Sequence, residues 1–113
     1  MIPVTQSFIT NRANRPFVNL PELKGIIIHW TSNTGKGANA AAHYNYFQNH
    51  DVQASAHYMV DDKNIFQIIP DEEVAYHVGS RHYKPLGQSL MEGGRSPYYF
   101  LIGIEMCVNP DSV

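Results

Sequence analysis

The run Leu23-Lys24-Gly25-Ile26-Ile27-Ile28-His29-Trp30 sets branched apolar residues at consecutive rather than alternate positions. Such a strand is apolar on both faces, as it is in a sheet with layers on either side, so the run predicts a central, covered strand. It ends in a polar, glycine-containing loop, Thr31-Ser32-Asn33-Thr34-Gly35-Lys36-Gly37, and an Ala-rich stretch from Ala38 to Asn49 follows. There Ala40, Tyr44 and Phe47 fall at i, i+4 and i+7, one stripe of an amphipathic helix. Strand, loop and helix in this order open an α/β unit.

From Ser55 to Ile69 the period changes to two. Ala56, Tyr58 and Val60 share one face, His57, Met59 and Asp61 the other, and the polar Asp61-Asp62-Lys63-Asn64 turns the chain into a return strand at Ile65-Phe66-Gln67-Ile68-Ile69. The first twenty residues carry Asn11, Asn14, Pro16 and Asn19 and read as an irregular arm. A short extended segment is expected at Val74-Ala75-Tyr76-His77-Val78. From Gly79 to Tyr98 there is no period, and a stretch of that length inside a small domain reads as a binding loop. Phe100 to Val108 is a last strand, apolar on both faces.

The chain has 113 residues, the size of one domain, which is read as a monomer. Eight Lys+Arg against ten Asp+Glu give a formal charge of -2, so no basic field draws the chain to nucleic acid or to an anionic membrane. One cysteine, Cys107, excludes an internal disulfide framework and a Cys-based structural zinc site within the chain. Met1 to Thr10 has no signal-peptide pattern, and Ile26-Ile27-Ile28 is far too short to span a bilayer. The expectation is a soluble protein made in the cytoplasm.

Two ionisable residues stand inside apolar strands. His29 lies near the carboxyl end of its strand, where α/β sheets place ligands; it is either a metal ligand or a core histidine bonded to a backbone carbonyl. Glu105, within Ile-Gly-Ile-Glu-Met-Cys, is costly to bury, and burial raises its pKa toward the range of a general base; the alternative is a structural carboxylate with a cationic or amide partner. Gly103 shares its face and would leave space beside it for substrate. His57 reads as a hydrogen-bonding residue of the hairpin and His77 as a substrate contact at the mouth of the long loop. His43, His50 and His82 read as solvated, and Cys107 as a small buried hydrophobe.

In order along the chain, Ile26-Ile27-Ile28-His29-Trp30-Thr31, the Ala-rich helix, Ser55-Ala56-His57-Tyr58-Met59-Val60-Asp61-Asp62, Ala75-Tyr76-His77-Val78-Gly79 and Ile102-Gly103-Ile104-Glu105 resemble the zinc-dependent N-acetylmuramoyl-L-alanine amidases of phage endolysins and bacterial autolysins, relatives of the peptidoglycan-recognition proteins. The resemblance implies a mixed central β-sheet flanked by helices, with a groove for a muropeptide. It implies His29 as the first ligand of a Zn2+ ion, Glu105 as the catalytic residue acting on metal-bound water, and Trp30, Thr31, His57 and His77 on the substrate side. The reaction implied is hydrolysis of the amide between N-acetylmuramic acid and L-alanine, at the cell wall; the alternative is a peptidoglycan-binding module without catalysis. The family takes its remaining zinc ligands, a second His and then an Asp or Cys, from beyond the Glu-bearing strand. No His follows Glu105 in this sequence. Residues 1–113 are therefore expected to be one amidase-like domain incomplete at its C-terminus, with the other ligands beyond residue 113 and feeble metal binding by itself.

Overall fold

The computed structural model describes residues 1–77 and 95–108. Five strands, β1 (Val4–Gln6), β2 (Gly25–Trp30), β3 (Tyr58–Val60), β4 (Ile65–Gln67) and β5 (Leu101–Met106), form one sheet in the order β1-β4-β3-β5-β2. The β3–β4 hairpin is antiparallel and every other pairing is parallel, so the sheet is mixed, as the sequence implies. One α-helix, α1 (Ala40–Asn49), lies among the described residues and packs on β3 and β4.

The α1 stripe behaves as its spacing predicts. Ala40 is fully buried, and Tyr44 and Phe47 pack against a core of Ile9, Ala56, Met59, Ile68, Ile69, Ala75 and Cys107. Both ends of the helix are tied down by buried polar side chains. At the start, Asn39 Oδ1 accepts from Ala42 N at 2.9 Å and Asp61 Oδ2 accepts from Ala40 N at 2.9 Å, which satisfies two amides with no partner inside the helix. The other Asp61 oxygen accepts from Lys63 N and Asn64 N, so one carboxylate shapes the hairpin turn and holds the helix to it. At the far end, fully buried Asn14 donates from Nδ2 to the carbonyls of Phe47 and His50 at 2.7 and 2.6 Å.

Three expectations need correction. The run at β2 is not a central strand. It pairs with β5 and stands at the sheet edge among the described residues, where Ile26, Ile28 and Trp30 are 63, 61 and 55 % exposed. Consecutive apolar residues report that both faces are apolar; they do not report where in the sheet the strand stands. The N-terminal arm is irregular only after β1, which pairs parallel with β4 and is prolonged by bonds from Ser7 N to Gln67 O and Ile9 N to Ile68 O, both 2.9 Å. Three residues without an apolar period become a strand only because β4 offers an edge. The segment from Val74 to His77 forms no strand; next to it is one isolated bridge, Asn19 with Glu73.

The long-loop expectation lies outside the described residues from 79 to 94. Its end, Pro97–Tyr99, is one turn of 3-10 helix leading into β5.

Candidate active site

His29 and Glu105 are partners in the parallel register of β2 and β5, so their side chains leave the same face of the sheet on adjacent strands, about 4.8 Å apart. Both are half-buried. His29 Nε2 is buried and has no hydrogen-bond partner among the described residues. A core histidine bonded to a carbonyl is thus not what β2 carries on that ring nitrogen. Burial raises the Glu105 carboxyl above its ordinary pKa, and the His29 and His43 imidazoles pull it back. A carboxyl held above its ordinary range is better suited to take up a proton than a solvated one.

Beneath this pair the backbone is locked by two further histidines. His57 is fully buried; its Nε2–H donates to the Glu73 carbonyl at 2.7 Å, and its Nδ1 accepts from Gly103 N at 3.0 Å. The donor and the acceptor fix one neutral tautomer, and burial lowers its pKa. The substrate contact expected of His57 therefore gives way to the hydrogen-bonding role, because neither ring nitrogen is left to offer. Glu73 is itself held by Arg15 through bonds of 2.9 and 2.7 Å.

His77 is 8 % exposed, donates from Nε2 to the Leu101 carbonyl at 3.0 Å, and is pushed down to about 4, chiefly by burial. Its Nδ1 is buried without a partner among the described residues. The ring occupies the space that Gly103 was expected to leave for substrate: a Cβ at residue 103 would stand 2.6 Å from Cδ2 and 2.7 Å from Cβ of His77. Glycine is required at residue 103 by a protein ring, not by a ligand.

The open space lies on the other side of Glu105. A pocket of about 180 Å³ is lined by Trp30, Thr31, His43, Phe47 and Glu105. Beside it a trough of about 300 Å³ runs along α1 past Thr31, Asn33, Ala38, Ala42, His43, Tyr46 and Phe47. Of the residues named from the sequence, Glu105, Trp30 and Thr31 line this corner and His29 is paired with Glu105 across the strands, while the His77 ring packs over Gly103 on the face that carries Glu105, 5.7 Å from the His57 ring. His43, expected to be solvated, is half-buried and lines both spaces. The signal was present: residue 43 is three after Ala40 and four before Phe47, on the inward stripe. Cys107 is buried as expected, its thiol pushed up to about 12 by burial first.

A zinc ion takes three or four protein donors in nearly every known site. The uncommitted His29 Nε2 fits one of them. Among the described residues no group of three or more His, Cys, Asp or Glu is arranged to hold a metal ion, so these residues supply one ligand and not a site.

The chain is 38% identical over 112 residues to the N-acetylmuramoyl-L-alanine amidase XlyA of Bacillus subtilis (strain 168), covering 98% of this chain and 33% of that protein. It is 35% identical over 122 residues to a probable N-acetylmuramoyl-L-alanine amidase of Bacillus licheniformis, covering 98% of this chain and 31% of that protein. The chain thus spans about a third of the length of these curated relatives. The solved catalytic domain of XlyA superposes with a TM-score of 0.74 at 37% identity, over 97% of this chain and 64% of that one. Residues 19–112 match the family model described as N-acetylmuramoyl-L-alanine amidase. A match over that much of the chain, with His29 and Glu105 side by side within it, makes this protein a member of the N-acetylmuramoyl-L-alanine amidase family.

Proposed function

We propose that the chain hydrolyses the amide between the lactyl group of N-acetylmuramic acid and L-alanine in peptidoglycan, with Glu105 as the proton-transferring residue and His29 as a zinc ligand. One observation carries the reading: a buried, uncommitted imidazole nitrogen and a carboxyl of raised pKa stand on paired residues of β2 and β5, and the carboxyl-bearing Glu105 lines a pocket with Trp30 and Thr31. Glu105 takes the proton from the attacking water and delivers it to the departing L-alanine nitrogen. Thr31 and Trp30 border the pocket where the reacting amide would sit. When bound, zinc supplies a Lewis acid for the amide carbonyl and lowers the pKa of water. Among the described residues no group of three His, Cys, Asp or Glu is arranged to hold the metal, and the site of action proposed is the cell wall.

The test is incubation of the chain with N-acetylmuramoyl-L-alanyl-D-isoglutamine and zinc, followed by mass spectrometry. The expected products are free N-acetylmuramic acid and L-alanyl-D-isoglutamine, formed feebly as the weak metal binding of residues 1–113 implies, with both lost in His29→Ala. Binding of the muropeptide with no cleavage would replace this reading by a recognition module. Cleavage at full rate in His29→Ala would remove His29 from the metal.

A further inference from the structure

His43 is one of three residues, with Thr31 and Phe47, that line both the pocket at Glu105 and the trough along α1. Its Nδ1 lies 2.8 Å from the Asn39 carbonyl oxygen, one helical turn back, and 3.6 Å from Cys107 Sγ. A carbonyl oxygen only accepts, so the hydrogen of the neutral ring is on Nδ1 and Nε2 is left with a lone pair. The buried side-chain nitrogens without a partner among the described residues are His29 Nε2 and His77 Nδ1, so His43 Nε2 is not sealed in but opens to the groove.

The trough has a one-sided chemistry. Ala38, Ala42 and Phe47 make most of its lining apolar, and its polar groups come from Thr31, Asn33, His43 and the exposed Tyr46. A sugar laid there would lose water from its hydroxyls with few acceptors in return, an unfavourable exchange. A peptide with small aliphatic side chains meets the same lining with methyl groups and needs an acceptor for its amide hydrogen. His43 Nε2 is an acceptor at the junction between the trough and the Glu105 pocket.

We propose that His43 is a substrate-positioning residue whose Nε2 accepts a hydrogen bond from an amide N–H of the stem peptide, with the peptide's small side chains in the trough along α1 and the scissile amide beside Glu105. The proposal rests on the amidase reading above. It assigns the peptide arm, not the sugar, to the α1 side of the groove.

The test is titration of histidine-¹⁵N-labelled chain with three probes: N-acetylmuramoyl-L-alanyl-D-isoglutamine, L-alanyl-D-isoglutamine and N-acetylmuramic acid. The expected result is a shift of the His43 Nε2 resonance with the two peptide-containing probes and none with the sugar. His43→Phe keeps a ring and loses the acceptor, and should weaken binding of the muramyl dipeptide about ten-fold, the loss of one hydrogen bond. His43→Gln keeps an acceptor and should stay within about three-fold of wild type. Wild-type strength in His43→Phe, or a resonance that answers the sugar and not the peptides, overturns the proposal while leaving the amidase reading intact. A wild-type chain that binds none of the probes overturns that reading and this proposal with it.

Discussion

The two halves of the sheet are built to opposite standards. On the β3–β4 side, Met59, Ile68, Ile69 and Ile9 are fully buried, α1 covers the face, and Asp61 and Asn14 satisfy both ends of that helix. On the β2–β5 side, Ile26, Ile28, Trp30 and Met106 remain exposed and His29 Nε2 has no partner among the described residues. Where both ends of α1 are satisfied, the fold is held; where His29 Nε2 is left over beside Glu105, chemistry has something to work with. The two halves are joined by β5, whose Gly103 amide is gripped by His57 from the closed side.

The sharpest way to break this contrast is to truncate each half. Met59→Ala empties a buried site and should cost about 2–5 kcal/mol in unfolding free energy by denaturant titration. A cost below 1 kcal/mol would show that the closed half is not the stabilising one. Next is the joint itself. Gly103→Ala drives a methyl into the His77 ring and should cost about 1–3 kcal/mol. Adding His77→Ala removes the ring the methyl meets, so the double variant should lose less than the sum of the single ones. Strict additivity would mean that the ring is not what requires glycine there.

Acid provides a smaller and graded effect. Burial depresses both His57 and His77, so as pH falls the unfolded chain binds protons before the folded one does. Their contribution is whole above the ordinary pKa of 6.5 and is lost as pH falls from there toward about 4, the value for His77. The slope should reach about 1.4 kcal/mol per pH unit for each proton taken up. The groups acting on His57 are the Glu73 carbonyl and the Asp71 and Glu73 carboxylates, and those acting on His77 are the Leu101 carbonyl and the His57 and His29 rings. His77→Gln should flatten the slope between pH 6.5 and 4 in melts taken across that range. An unchanged slope would assign acid sensitivity elsewhere. Least affected should be Ile28→Thr, already 61 % exposed and expected to change stability by no more than about 0.5 kcal/mol.

What the sequence made legible follows the same division. The α1 stripe and the β3–β4 hairpin were readable because a single period carries each, and periods survive without knowledge of the partner. Glu105 and His29 were readable because ionisable groups in apolar strands stand out. The edge position of β2 was not readable, since pairing order is set by contacts distant in sequence. His57 and His77 were visible as histidines, but which carbonyl or amide each ring reaches depends on where Glu73, Leu101 and Gly103 come to rest. His43 was misread because a polar residue on an inward helix stripe was given to solvent by type rather than to the groove by spacing.

The central claim is that the leftover groups of the open half serve chemistry and not the fold. It is tested most directly by measuring, on one preparation of Glu105→Gln with zinc added, both unfolding free energy and release of N-acetylmuramic acid from N-acetylmuramoyl-L-alanyl-D-isoglutamine. The account predicts stability equal to or above wild type, because a half-buried carboxyl of raised pKa has been made neutral, and hydrolysis lower by at least about 100-fold. A destabilised variant that still hydrolyses at the wild-type rate would contradict it.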